Sequence, residues 1–260
     1  KRQAEATGRV IVRGTSGAAG SATFAAGPGR ESITALARQV AELRENRIYL
    51  VESMVEMTAS PNIQMQIDGE GPIECAGVTD QRWERTLVHG GNLYPSTASC
   101  VTQMVAWART LAEWLRGAGF VGLAGFDFVE YTDPSGTPRA FLAEVNPRVN
   151  GATYPFRLAG RLNAFQRKAA RPEISAFVSG TLETRAGSFA ELRDSIDDLL
   201  FSPERGTGVV PYVTGCLPYG KCGVVALAGS APEANELFHE AGAAAAGVRI
   251  SCPVPAFSDV

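Results

Sequence analysis

The stretch GFDFVEYTDPSGTPRAFLAEVNPRVNG, Gly125–Gly151, constrains the fold more than any other. Two strand-like runs flank DPSG, Asp133–Gly136, and read as a β-hairpin. A strand turns alternate residues to opposite faces. Glu144, Asn146 and Arg148 therefore share one face, and Ala143, Val145 and Pro147 the other. If Asp127 stands opposite Glu144, the hairpin centre falls between Ser135 and Gly136. Asp127, Glu144, Asn146 and Arg148 then converge, while Phe126, Phe128 and Val145 point into a core. Oxygen ligands on one sheet face suit Mg²⁺, and a guanidinium beside them suits a phosphoryl group. Taken alone, the hairpin fits equally a solvated face carrying a weak Glu–Arg pair.

Bulk properties narrow the classes. The 260 residues suffice for one or two domains. A net charge of -3 gives no reason to expect nucleic acid. No apolar run approaches the ~20 residues that span a bilayer, and no signal peptide is visible. The chain opens on Lys1 rather than Met, so an upstream part is expected. Cys75, Cys100, Cys216, Cys222 and Cys252 form neither a disulfide framework nor a zinc pattern. Reduced thiols in a cytoplasm are expected, with a Cys216–Cys222 pair the minor alternative.

Along the chain, Gly8–Gly14 reads as a strand, Ser32–Asn46 as a helix, and Arg47–Val55 and Asn62–Ile67 as strands. Ser99–Arg116 reads as a helix with Val101, Met104, Val105, Ala108, Leu111 and Leu115 on one stripe. Ser188–Phe201 carries a capping box, Ser188 with Glu191. Gly208–Tyr212 and Gly223–Ala228 read as strands before a helix from about Ala231, boxed by Ser230 and Glu233. Arg157–Arg185 shows no clear period, and there is no internal repeat. These elements imply an α+β or α/β fold with much antiparallel sheet. RVIVRGTSGAAGSAT adds a small-residue loop after the first strand, through which backbone N–H groups could approach phosphate. It has neither Walker spacing nor a GxGxxG fingerprint.

In this order, RVIVRGTSGAAGSAT, IYLVESMVEMTASPNIQMQI and GFVGLAGFDFVEY with FLAEVNPRVNG resemble the ATP-grasp superfamily over roughly residues 8–156. The resemblance implies an α+β, ATP-grasp fold of two subdomains clasping nucleotide: 1–68 on the nucleotide side, 69–200 on the metal and catalytic side. It implies ATP with Mg²⁺, two ions. Arg13 would contact phosphate, with Ser16, Gly17, Gly20 and Ser21 lying over it. Glu52 would take the adenine amino group, Ser53 and Val55 would frame the ring, and Asn62 would contact ribose. Asp127, Glu144 and Asn146 would bind metal, and Arg148 would stabilise the acyl phosphate. Asn150 and Tyr154 follow the metal strand and could line the donor site.

Arg13 and Ser53 stand where many members have Lys. Ala152 stands where the biotin-carboxylase branch has its catalytic Glu. FSPERGTGVVPYVTG and the closing helix, a small β-β-α segment over 201–260, resemble the tail of bacterial peptide ligases of the pheganomycin type, whose chains carry a further domain before the grasp. The implied activity is ATP-dependent amide formation through an acyl phosphate, from a carboxylic-acid donor and an amine or peptide acceptor, in a bacterial peptide natural-product setting. A ligase with a non-amine acceptor, carboxylase-like enzymes included, and a catalytically degenerate nucleotide binder are the rivals. No nucleic acid or membrane partner is implied, and a homodimer is left open. His89, expected in a loop, His239, Trp107, Trp114, Arg82, Arg85 and Arg157 are each read first as structural or solvated residues.

Overall fold

The computed structural model describes residues 8–14, 23–27, 29–42, 48–85 and 88–247. They divide into two compact units. The first takes the chain up to Thr58, together with Trp83–His89 and Tyr131–Arg139. In it β1 (Val10–Gly14) lies antiparallel between β2 (Thr23–Ala26) and β3 (Tyr49–Ser53). Helix α1 (Arg30–Glu42) brings Leu36 onto Val10, Val12 and Ala26, with Ile33 and Val40 alongside. That i, i+3, i+7 spacing gives the helix one apolar face.

The second unit takes most of the chain from Ala59 onward. Its sheet runs β11 (Gly208–Tyr212), β12 (Lys221–Ala228), β10 (Ala176–Glu183), β7 (Val88–Tyr94), β6 (Glu74–Arg85), β5 (Pro61–Ile67), β8 (Gly122–Thr132) and β4 (Met57–Ala59), with β9 (Pro138–Asn146) also on β8. Strand β5 separates its residues by chemistry. Ile63, Met65 and Ile67 are fully buried against Phe126, Phe128 and helix α2 (Val101–Gly117), which contributes Met104, Ala108 and Ala112. Asn62 and Gln64 are nearly as buried on the other face. Burying an apolar side chain such as Phe126 stabilises by roughly 1.5–3 kcal/mol. Buried amides are tolerated only when bonded, and theirs are.

Several elements differ from the sequence reading. Arg157–Arg185, without visible period, holds most of helix α3 (Thr153–Lys168) and all of β10. The buried positions of α3 are Thr153, Pro155, Ala159 and Gln166, a stripe of polar and small residues. Strand β10 is covered on both sides: Ala176 and Val178 belong to one core, Phe177 to another. A doubly covered strand does not alternate. Helix α4 (Phe189–Ser195) is shorter than expected and gives way to a 3₁₀ turn at Asp197–Leu199. Its cap is as anticipated: Glu191 N–H donates to Ser188 Oγ, 3.3 Å. In helix α5 (Ala231–Ala245) Glu233 N–H donates to Ser230 Oγ, 3.4 Å. His89 lies on β7, not in a loop. Cys216 and Cys222 are both free thiols. Lys1 and Cys252 lie outside the described residues. Among the described residues no helix is long and apolar enough to cross a membrane.

Candidate active site

The β8–β9 hairpin reaches the expected convergence by an unexpected route. Its turn centres on Ser135, because Asp133 N–H donates to the Thr137 carbonyl, 3.0 Å, and Gly136 N–H to that of Asp133, 2.8 Å. The centre is half a residue from the expected one. The Asp133 carboxylate rigidifies the turn by accepting from Ser135 Oγ, Arg139 Nε and the amides of Ser135 and Thr137. These bonds, that of the Ser135 hydroxyl foremost, hold Asp133 well below the usual carboxylate range. An unbroken ladder from this centre would set Glu144 out of step with Asp127. The inward phase of β9 instead slips by one residue. Ala140 and Leu142 pack on the core, and then Val145 does. A slip of this kind is what a bulge produces, re-aiming the side chains beyond it. It returns Glu144 and Asn146 to the face of Asp127.

Asp127 is the centre of the cluster. It stands opposite Asn62 across β5–β8. Asn62 Nδ2 donates to its Oδ1, and Asn146 Nδ2 to its Oδ2, 2.9 Å. Its pKa is pushed up to about 6, chiefly by burial. The Asn62 bond opposes that rise; the Glu144 charge adds to it; Arg148 and Asn146 oppose it. Glu144 and Arg148 thus act on Asp127 as charges, and both are exposed. Two carboxylates and an amide carbonyl form an all-oxygen donor set, and a half-desolvated carboxylate beside a second one favours a cation. This composition fits Mg²⁺. Among the described residues no group of three His, Cys, Asp or Glu side chains is placed to hold a metal. The remaining ligands would be the Asn146 amide, water or substrate oxygens.

Behind Asp127 the network continues through a residue the sequence reading passed over. Gln64 Nε2 donates to Asn62 Oδ1 and to Asn150 Oδ1, the latter at 3.0 Å, and Gln64 Oε1 accepts from Thr153 Oγ1 at 2.8 Å. The alternation of Asn62, Gln64 and Gln66 in NIQMQI is the signal that could have found it. Gly125 makes room for this network: a Cβ there would lie 2.1 Å from Asn150 Nδ2, and 3.0 and 3.1 Å from the amide nitrogens of Gln64 and Asn62.

The other anticipated residues are placed as follows. Arg13 and Glu52 meet each other, Arg13 Nε donating to Glu52 Oε2 at 2.7 Å, in a half-exposed ion pair. Ser53 ends β3, and Val55 follows in the segment before β4. Ser16, Gly17, Gly20 and Ser21 lie outside the described residues. Tyr154, on the first turn of α3, is 57% exposed and stands apart from the network. Ala152 is buried and offers no base. Trp107 stacks on Phe128, while Trp114 is 71% exposed. The Arg82 guanidinium sits over the Phe238 ring, 4.4 Å from its centre.

This architecture is the ATP-grasp fold, a mixed α/β arrangement with antiparallel sheets. The chain is similar to carboxyaminoimidazole ribonucleotide synthase from Aspergillus clavatus, solved with ATP, at a TM-score of 0.63 and 10% identity, covering 95% of this chain and 65% of that one. It is similar to N5-carboxyaminoimidazole ribonucleotide synthetase from Thermus thermophilus at a TM-score of 0.58 and 15% identity, covering 94% of this chain and 63% of that one. Biotin carboxylase from Campylobacter jejuni, solved with a β,γ-ATP ligand, gives a TM-score of 0.58 at 11% identity, with 88% and 56% covered. The chain thus spans less than two thirds of the length of each, and the likeness is one of fold. No family model and no curated protein sequence matches it.

Proposed function

We propose that the chain belongs to an ATP-dependent carboxylate–amine ligase, in which a substrate carboxylate takes the γ-phosphoryl group of ATP and an amine then displaces phosphate to form an amide. The observation behind this reading is the half-buried Asp127, bonded by Asn62 and Asn146 and flanked by the charges of Glu144 and Arg148. Asp127, Glu144 and Asn146 are the residues assigned to Mg²⁺, with two ions expected. Bound there, the metal would neutralise triphosphate charge. Arg148, exposed beside Asp127, is assigned to the transferring group. Arg13, Glu52, Ser53 and Val55, with Ser16, Gly17, Gly20 and Ser21, remain the residues assigned to the nucleotide. If Arg13 and Glu52 do contact it, their mutual ion pair must open. An exposed pair of this kind contributes only about 0–1 kcal/mol, so opening it is cheap. The absence of a base at Ala152 supports an amine acceptor over bicarbonate. Within this reading a peptide product of natural-product type, made from a carboxylic-acid donor, is the finer proposal.

ADP release from the protein with panels of carboxylic acids and amines tests the reading. Glu144→Ala should lower the rate by about 10²–10³ while leaving the thermal transition in place. Wild-type turnover in that variant would refute the assignment.

A further inference from the structure

The polar face of the β5–β8 pair has two ends. At one, Asn62 stands opposite Asp127; at the other, Gln66 stands opposite Leu123. Four residues separate the ends, about 13 Å at ~3.3 Å per residue. Beside the Leu123 end opens a groove of about 600 Å³, floored by Leu123, walled by Val149, Phe156 and Thr153, and edged by Arg157 and Arg161 of α3. Among the described residues no acidic side chain lines it.

The two arginines are one helical turn apart and carry the same charge, an arrangement that disfavours the helix unless an anion joins them. Arg157 is steadied by Nη2 donating to Gln66 Oε1, 3.0 Å, which leaves the rest of its fork available. Arg161 is exposed, and among the described residues it has no hydrogen bond or ion pair. Thr153 ties the wall to the Asp127 network through Gln64.

We infer that this groove holds the non-reacting anionic end of an elongated substrate with an apolar body. The inference rests on the ligase reading for the location of the reacting centre. A carboxylate at Arg157 and Arg161 lies too far from Asp127 to be the one phosphorylated. It is a second anion, and the distance requires a substrate several bonds longer than a simple amino acid. An extended chain covers ~3.3–3.6 Å per residue, so an unblocked peptide of four residues spans the gap. Its amine would lie near Asp127, its side chains on Leu123, Val149 and Phe156, and its terminal carboxylate on the arginine pair.

Calorimetric titration with unblocked tetra-leucine, its C-terminal amide and a phosphate monoester of similar length tests this on the whole chain. Tetra-leucine should bind the wild type, and the amide should bind roughly ten- to a hundredfold more weakly, the loss expected for a charge-assisted bond. Arg161→Gln should weaken the acid by the same factor, leave the amide unchanged and leave the melting temperature unchanged. In the ADP-release assay it should raise KM for the acid with little change in kcat. Equal binding of acid and amide, no binding of tetra-leucine, or tighter binding of the phosphate ester would each overturn the inference. If acid and amide are indistinguishable while ADP is released with simple acids and amines, the groove inference fails and the ligase reading stands. If Arg161-dependent binding is seen but no acid–amine pair releases ADP, the ligase reading fails and the groove stands.

Discussion

Asp127 is where burial and charge compete most directly. Its folded-state pKa of about 6 lies above the unfolded value of 3.8. Between those values the folded chain keeps a proton that the unfolded chain has shed. Stability therefore falls as pH rises through that window and is level above it. The difference in melting temperature between wild type and Asp127→Asn should follow this slope between pH 4 and about 6; a flat difference would show that Asp127 is not desolvated. Protons and a divalent cation would compete for the same carboxylate, so Mg²⁺ affinity, followed by titration, should weaken about tenfold per pH unit below 6. Gly125 sets a second constraint. Gly125→Ala must displace the Asn150 amide, since the new methyl would sit 2.1 Å from it. Overpacking of this kind costs about 1–3 kcal/mol, readable as a lower urea midpoint.

Helix α2 and the hairpin share one core, so their contributions are measurable together. Phe126→Ala should cost about 3–5 kcal/mol, whereas Trp114→Ala, at a site 71% exposed, should stay within about 0.5 kcal/mol. A urea series distinguishes them, and comparable losses would mean that the outer face of α2 is covered in solution. These elements were legible because each has one wet face and one dry face. The stripe of α2 and the polar row Glu144, Asn146 and Arg148 follow directly from periodicity. Helix α3 and β10 were not legible, for opposite reasons. The former buries Thr153 and Gln166, so its inner face looks polar; the latter is buried on both faces from Ala176 to Gly180, so that stretch has no outer face. The site followed the same rule. Asp127 and Asn146 were visible as polar interruptions of apolar strands, and Asn62 entered only through the resemblance, as a ribose contact. Gln64 and Arg161 stayed hidden because their meaning depends on neighbours distant in sequence. The slip in β9 was invisible because no Gly or Pro marks it.

Across the whole molecule, a ligand that binds only the folded state raises its stability by mass action. MgADP at a hundred times its dissociation constant should add about 2.7 kcal/mol, seen as a raised melting temperature that EDTA reverses. No shift with any nucleotide would argue for a degenerate grasp fold that has lost nucleotide binding. The chain leading into α2 offers a finer probe. Asp80 of β6 accepts from Thr97 N–H at 2.7 Å, and Glu130 of β8 from Ser99 and Cys100 N–H at 3.0 and 2.6 Å. No side chain of α2's own N-cap residue makes the cap bond. The helix thus begins where two separate strands hand it their carboxylates. Deuterium uptake at those three backbone nitrogens becomes a local gauge of whether β6 and β8 are in place, readable without any substrate in hand.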